Sequence, residues 1–199
     1  MTTLVAIQHE DWCVIAAESQ STLNYRAMDS SPVGKITPNG NYLIAAAGSS
    51  RGANILAFDW NPPAPTGNLD KFVTAKLIPS MRKQFIRSGY DIKSDGESAS
   101  FDNELLIAIK GKIYFIDEAY GWDRCGSRLY ASGSGSDFAI GALDALGARD
   151  VDNYEDAIEM AEQAIKIASR HDIFSGGLIQ IAVQNPQGKS MITTITDEE

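Results

Sequence analysis

The chain has only two histidines, His9 and His171, and two cysteines, Cys13 and Cys125. That scarcity restricts the chemistry available. A Ser-His-Asp triad would have to use one of the two imidazoles, and His171 falls at the end of a long helical pattern, where a cation complements the helix dipole. No Cys/His cluster has ligand spacing, so neither a metal nor a cofactor is expected. Gly188-Lys189-Ser190 resembles the end of a phosphate loop, but Val183 stands where the first glycine is required and the context is strand to strand, so a hairpin turn is expected. Gly34-Lys35 fails the same test, with Asp29 and Ile36 at the other defining positions. The remaining candidates are hydroxyl, carboxyl and amine groups. Ser132-Gly133-Ser134-Gly135-Ser136 reads either as a flexible loop or, because a helix follows, as a site where backbone N–H groups meet an anion. Asp172-Ile173-Phe174-Ser175-Gly176-Gly177 joins a helix to a strand and reads equally as a glycine helix stop.

The elements that must position these groups are legible from periodicity. Leu4–Ile7, Cys13–Ala17 and Tyr42–Ala47 are short apolar runs bounded by polar or turn residues, which predicts strands covered on both faces. Residues 52–60 can form one helical stretch, broken by Asn61-Pro62-Pro63-Ala64-Pro65. Residues 69–87 have helical spacing, with a kink or restart expected at Pro79. Residues 104–109 and 112–117 predict a hairpin around Lys110-Gly111. A short helix is expected over 135–148, with Phe138, Gly141, Ala142 and Ala145 on one side. Tyr154–Arg170 is the clearest helix, its Ala157, Met160, Ala161, Ala164, Ile165 and Ala168 forming an i, i+3, i+4 stripe. Strands at 178–184 and 190–196 close around Asn185-Pro186-Gln187-Gly188. The order of strands, helices, strands, helices, strands does not alternate as a doubly wound sheet would. It fits two mainly antiparallel sheets packed together with helices outside, an α+β architecture in one domain spanning 1–199.

Composition sets the outer bounds. The 199 residues carry 17 Lys+Arg and 26 Asp+Glu, a formal net charge of −9, and are 44% hydrophobic. This composition supports a folded core rather than disorder. An acidic chain with scattered cations has no electrostatic footprint for nucleic acid or for an anionic membrane. No run approaches a bilayer-spanning length, and the N-terminus lacks a secretory pattern, so a cytoplasmic location is expected.

Taken together, the pieces resemble the proteasome β-subunit and HslV family of N-terminal threonine peptidases. The resemblance runs through Thr2-Thr3-Leu4-Val5-Ala6-Ile7, Ala16-Ala17-Glu18, Gly34-Lys35-Ile36, Ile44-Ala45-Ala46, Tyr114-Phe115-Ile116-Asp117, Tyr130–Ser136 and Asp172-x-x-Ser175-Gly176-Gly177, in family order over residues 2–184. Ala46 stands where the family has glycine, its spacing from Lys35 is shorter, and the 49–95 segment does not read like the usual helix pair.

The resemblance implies a four-layer αββα sandwich, the N-terminal-nucleophile (Ntn) hydrolase fold. It implies a threonine endopeptidase that cuts unfolded polypeptides inside stacked homo-oligomeric rings, with an ATP-dependent unfoldase as a possible partner. Met1 is the residue expected to be trimmed. The α-amine of Thr2, a group that ordinarily titrates at about 7.7–8.0, would then take the hydroxyl proton. Lys35 would favour the alkoxide and repel a proton from the amine, Glu18 would hold Lys35, and Ser134, Asp172 and Ser175 would orient the amine. The Ala46 N–H is expected to serve the oxyanion, with Ser21, Val33, Ile44 and Gly48 around the substrate and a preference for cleavage after apolar residues. Two alternatives stay open: an Ntn hydrolase of small amides, and an inactive ring subunit that keeps the fold.

Overall fold

The computed structural model describes residues 2–24, 26–28, 34–91 and 100–195. β1 (Thr3–Gln8) and β2 (Cys13–Glu18) form an antiparallel pair with Leu4 opposite Ala17. A small hairpin, β3 (Ser21–Leu23) and β4 (Arg26–Met28), follows, then β5 (Ile36–Asn39) and β6 (Tyr42–Gly48). Helix α1 (Ser50–Asn54) continues as a wide turn over Ile55–Asp59. α2 (Leu69–Phe72) passes through a second wide turn, Val73–Leu77, into α3 (Ile78–Arg87). β7 (Asn103–Ile109), β8 (Lys112–Ile116), β9 (Trp122–Asp123) and β10 (Leu129–Gly133) precede α4 (Ser136–Ala145) and α5 (Tyr154–His171). β11 (Ile179–Gln184) and β12 (Ser190–Ile195) complete the order.

Two five-stranded antiparallel sheets result, ordered β10-β1-β2-β11-β12 and β5-β6-β7-β8-β9. Strand alternation sends side chains to opposite faces, and each sheet is buried on both. Val5, Ile7, Val14, Ala16, Ile179 and Ile181 pack under α4 and α5. Leu4, Ala6, Ile15, Ala17 and Ala182 meet Leu43, Ala45, Leu106 and Ala108 between the sheets. Ile44, Leu105, Ile107 and Tyr114 pack against Leu56, Phe72, Leu77, Met81 and Phe85 from the helices beyond. The layers are therefore α, β, β and α, the sandwich expected from the sequence.

The long helix shows why its pattern was legible. Asn153 caps it, accepting from Asp156 N at 2.8 Å, and the Arg170 cation in the last turn complements the helix dipole. Ala157, Ala161, Ala164 and Ala168 are fully buried; such small residues let α5 lie close to β1 and β2.

Residues 69–87 are helical with the restart expected at Pro79: it provides no N–H for the residue-75 carbonyl, and the turn widens ahead of it, with Ile78 N reaching Val73 O before α3 begins. Two expectations are corrected. In α4 the buried stripe is Ala139, Ala142 and Leu143, whereas Phe138 is 44% exposed and stacks on His171; two helical stripes one residue apart competed, and Leu143 took the core. Ser132 and Gly133, read as the start of a loop over 132–136, instead end the strand Leu129–Gly133, in which Tyr130 and Ser132 alternate with Leu129 and Ala131 and pair with β1.

Candidate active site

Each candidate group sits where a strand or helix ends. Thr2 immediately precedes β1, an inner strand of its sheet, and is 3% exposed. Glu18 closes β2, Lys35 precedes β5, Ser134 lies between β10 and α4, Asp172 follows α5, and Ser175 lies before β11. Ends that converge at one edge of the two sheets bring together residues up to 173 positions apart.

Lys35 is the hub. Its Nζ donates to Thr2 Oγ1 at 2.9 Å, to Gln20 O at 2.7 Å and to Glu18 Oε1, with which it also forms an ion pair. An ammonium has three N–H groups, and these partners account for all three. Thr2 Oγ1 is thus an acceptor toward Lys35. Burial pulls the Lys35 pKa below the ordinary lysine value, against Glu18 and Asp172, which favour the cation. Glu18 is itself fully engaged: Oε1 also accepts from Thr3 N at 3.2 Å, and Oε2 accepts from Gln20 N at 2.7 Å and Gly176 N at 3.1 Å.

A second cluster centres on Asp172. Its Oδ2 accepts from Ser134 Oγ at 2.6 Å and Ser175 Oγ at 2.7 Å, and its Oδ1 from Phe174 N at 3.2 Å. Burial raises the Asp172 pKa, but these hydrogen bonds outweigh it and hold the carboxyl below its ordinary value. Ser175 gives its proton to Asp172, so Thr3 Oγ1 donates to Ser175 Oγ across 2.6 Å. Ser134 Oγ also stands 3.4 Å from Thr2 O. The other five residues expected to act are thus connected to Thr2, Lys35 and Ser134 directly and Glu18, Asp172 and Ser175 through them. Thr3 and the Gln20 carbonyl join them unannounced; the doubled threonine at the start was the available signal for the first.

The expected oxyanion donor is corrected. The Ala46 N–H already donates to Lys35 O at 3.3 Å as part of the β5–β6 ladder. Alternation along β6 points the N–H of Gly48 to the same side, beyond the start of β5. Gly48 has φ +112, and a Cβ there would lie 2.4 Å from Asp102 O, so the backbone takes a shape open only to glycine.

Two cavities flank Thr2, and Gly48, Ser49 and Ser50 line both. One, of about 200 Å³, is bounded by Gln20, Ser21, Thr22, Lys35, Ala46, Ala53 and Asn54. The other, of about 650 Å³, is bounded by Asp102, Asn103, Glu104, Glu118, Gly133, Ser134 and Ser136. Ser21 is where it was expected. Ile44 is 2% exposed and packs mainly toward the helices, reaching only a small space behind the first cavity. Val33 lies outside the described residues. The described walls of the smaller cavity are small or polar and neutral apart from Lys35, less apolar than anticipated.

The family described as "Proteasome subunit" matches residues 110–184, the stretch holding Ser134, Asp172 and Ser175. "Proteasome subunit beta 2" of Thermococcus gammatolerans is 28% identical over 205 residues, covering 94% of this chain and 92% of that one. "Proteasome subunit beta" of Nanoarchaeum equitans is 26% identical and covers 94% and 95%. In three dimensions, Thiobacillus denitrificans BPH in complex with epoxomicin superposes with a TM-score of 0.74 at 23% identity, over 92% of this chain and 98% of that one. The resemblance to the proteasome β-subunit and HslV family holds. Eukaryotic HslV from Trypanosoma brucei agrees, with a TM-score of 0.66 at 24% identity over 92% of this chain and 99% of that one. These comparisons show a shared αββα fold and a likeness in sequence to proteasome β-subunits.

Proposed function

We propose that this chain is a threonine peptidase whose nucleophile is Thr2 Oγ1. The observation that carries the reading is the 2.9 Å hydrogen bond from Lys35 Nζ to Thr2 Oγ1, made by a lysine whose other donors are spent on Glu18 and the Gln20 carbonyl. A threonine hydroxyl is a weak nucleophile until a base takes its proton. Once Met1 is removed, the freed α-amine lies on the same residue as the hydroxyl and accepts that proton directly or through a water. The adjacent ammonium stabilises the developing alkoxide and disfavours a second positive charge on the amine. Attack on a substrate carbonyl places negative charge on its oxygen, which the Gly48 N–H receives. The amine then returns the proton to the leaving nitrogen, and water hydrolyses the ester by the same steps reversed.

The proposal extends to polypeptide substrates, homo-oligomeric stacked rings, an unfoldase partner and a cytoplasmic location. Thr3, hydrogen-bonded through Ser175 to Asp172, keeps the start of β1 in register behind the nucleophile. The inactive-subunit alternative gains no support from a site in which every acting residue is retained. Fluorogenic peptide hydrolysis by chains beginning at Thr2 tests the reading. Thr2→Ala should be inactive and Thr2→Ser should retain activity; a Thr2→Ala protein as fast as the wild type would refute it. An intact-mass shift with epoxomicin that Thr2→Ala abolishes would add direct evidence of Thr2 modification.

A further inference from the structure

Gln180 and Gln184 occupy the same face of β11, alternating with Ile179 and Ile181, which pack toward the helices. Both amides cross to the second sheet, at opposite ends of the strand. Gln184, opposite Cys13, accepts from Gly111 N at 3.1 Å and donates to Asn41 O at 3.1 Å, tying two turns together far from Thr2. Gln180, opposite Ala17, lies at the end where Glu18 closes β2. Its Oε1 accepts from Lys35 N at 3.0 Å and Ile36 N at 2.8 Å, and its Nε2 donates to Ile36 O at 2.8 Å.

β5 is the edge strand of its sheet, so its outward backbone groups have no neighbouring strand to pair with. Gln180 takes that neighbour's place at the two residues that launch the Lys35 side chain. The Lys35 backbone is held from the other side by Ala46 N, which donates to Lys35 O at 3.3 Å. The approach is close enough to restrict the preceding residue: Gly34 has φ +70, and a Cβ there would stand 2.5 Å from Gln180 Oε1.

We propose that Gln180 is a positioning residue for Lys35, clamping its backbone from the opposite sheet so that the ammonium emerges between Glu18, the Gln20 carbonyl and Thr2. The functional consequence rests on the threonine-peptidase reading; the positional one does not. Displacing the ammonium by about 1 Å would weaken its hold on Thr2 Oγ1, and misplacements of that size cost on the order of 10²-fold in rate. Among the described residues the charged groups around Thr2 are Lys35, Glu18 and Asp172, with Asp102, Glu104 and Glu118 on the wall of the larger cavity beside it, and of these only Lys35 is clamped by Gln180.

The test compares Gln180→Met, which keeps the volume and loses the polar atoms, with Gln180→Glu, which keeps the acceptor for both N–H groups, and with Gln184→Met as an inter-sheet control. On a neutral fluorogenic peptide, Gln180→Met should lower kcat roughly 10- to 100-fold with KM within about twofold. The acid limb of its rate profile should move to higher pH, because an amine that loses a neighbouring cation binds protons more readily. Gln180→Glu should recover most of the rate. Gln184→Met should lower the melting temperature without moving the pH limb. Wild-type kcat and pH limb in Gln180→Met, or the same shift in Gln184→Met, would overturn the inference. If the wild type hydrolyses nothing, the functional reading fails separately, and crystal structures decide the positional claim. Loss of the Lys35 Nζ–Thr2 Oγ1 contact in Gln180→Met sustains it, and retention of that contact refutes it.

Discussion

Lys35 and Asp172 organise the two halves of the site, and they respond to pH in different ways. Replacing Lys35 with Ala removes the donor on Thr2 Oγ1 and leaves Glu18 as a buried carboxylate without its cation, so turnover should be lost; peptide hydrolysis and circular dichroism together would show whether activity goes while the fold stays. Glu18 accepts four hydrogen bonds, three of them from backbone N–H groups. Glu18→Ala should therefore damage stability as well as rate, by about 3–5 kcal/mol for a broken buried pair. Denaturant titration measures this, and a loss below about 1 kcal/mol would make the pair a surface-like contact. Asp172 has its pKa lowered in the folded state, where hydrogen bonds from Ser134, Ser175 and Phe174 N overcome the burial that raises it. The unfolded chain then takes up the proton first as pH falls. The stabilisation is complete above the ordinary carboxyl value of 3.8 and disappears as pH drops through the lowered folded value. Asp172→Asn should flatten this acid limb in urea titrations between about pH 7 and 2.5; an unchanged slope would contradict the assignment.

At the scale of elements, what could be read from the sequence was what periodicity encodes. The β1 and β2 runs, the Lys110-Gly111 hairpin and the α5 stripe are long or apolar enough to declare themselves. β5 was not, because Ile36-Thr37-Pro38-Asn39 is a short edge strand with a proline, and β9 has two residues. Ala46 was expected as the oxyanion donor because sequence does not show which N–H groups a ladder consumes; the pairing of Ala46 N with Lys35 O is visible only in three dimensions. Gln180 was invisible for a related reason, since its partners are backbone atoms 144 and 145 positions away. The convergence of Thr2, Glu18, Lys35, Ser134, Asp172 and Ser175 was anticipated through family resemblance rather than through spacing. One prediction belongs to this scale. Gly48→Ala forces a Cβ against Asp102 O and moves the N–H, so peptide hydrolysis should fall by about 10²–10³-fold, the usual effect of losing an oxyanion donor. The same rate in wild type and variant would place the donor elsewhere.

The whole molecule presents exposed apolar side chains on several faces, including Leu23, Met28, Phe58, Ile86 and Ile173. Together with the family resemblance, they lead to the expectation of an oligomer, and light scattering coupled to size exclusion should find a species many times the 21.5 kDa chain mass. A sharp monomer at micromolar concentration would contradict ring assembly and would favour a free-standing small-amide hydrolase. The account as a whole depends on the α-amine of Thr2 as base. While Met1 is attached, that nitrogen is an amide without a basic lone pair, although the hydroxyl, Lys35 and the rest of the site are unchanged. General-base assistance contributes about 10²–10⁴-fold. The decisive measurement is peptide turnover on two homogeneous preparations verified by intact mass, one beginning at Met1 and one at Thr2. The form beginning at Thr2 should be active and the form retaining Met1 folded but inert; equal activity in the two would contradict an N-terminal nucleophile.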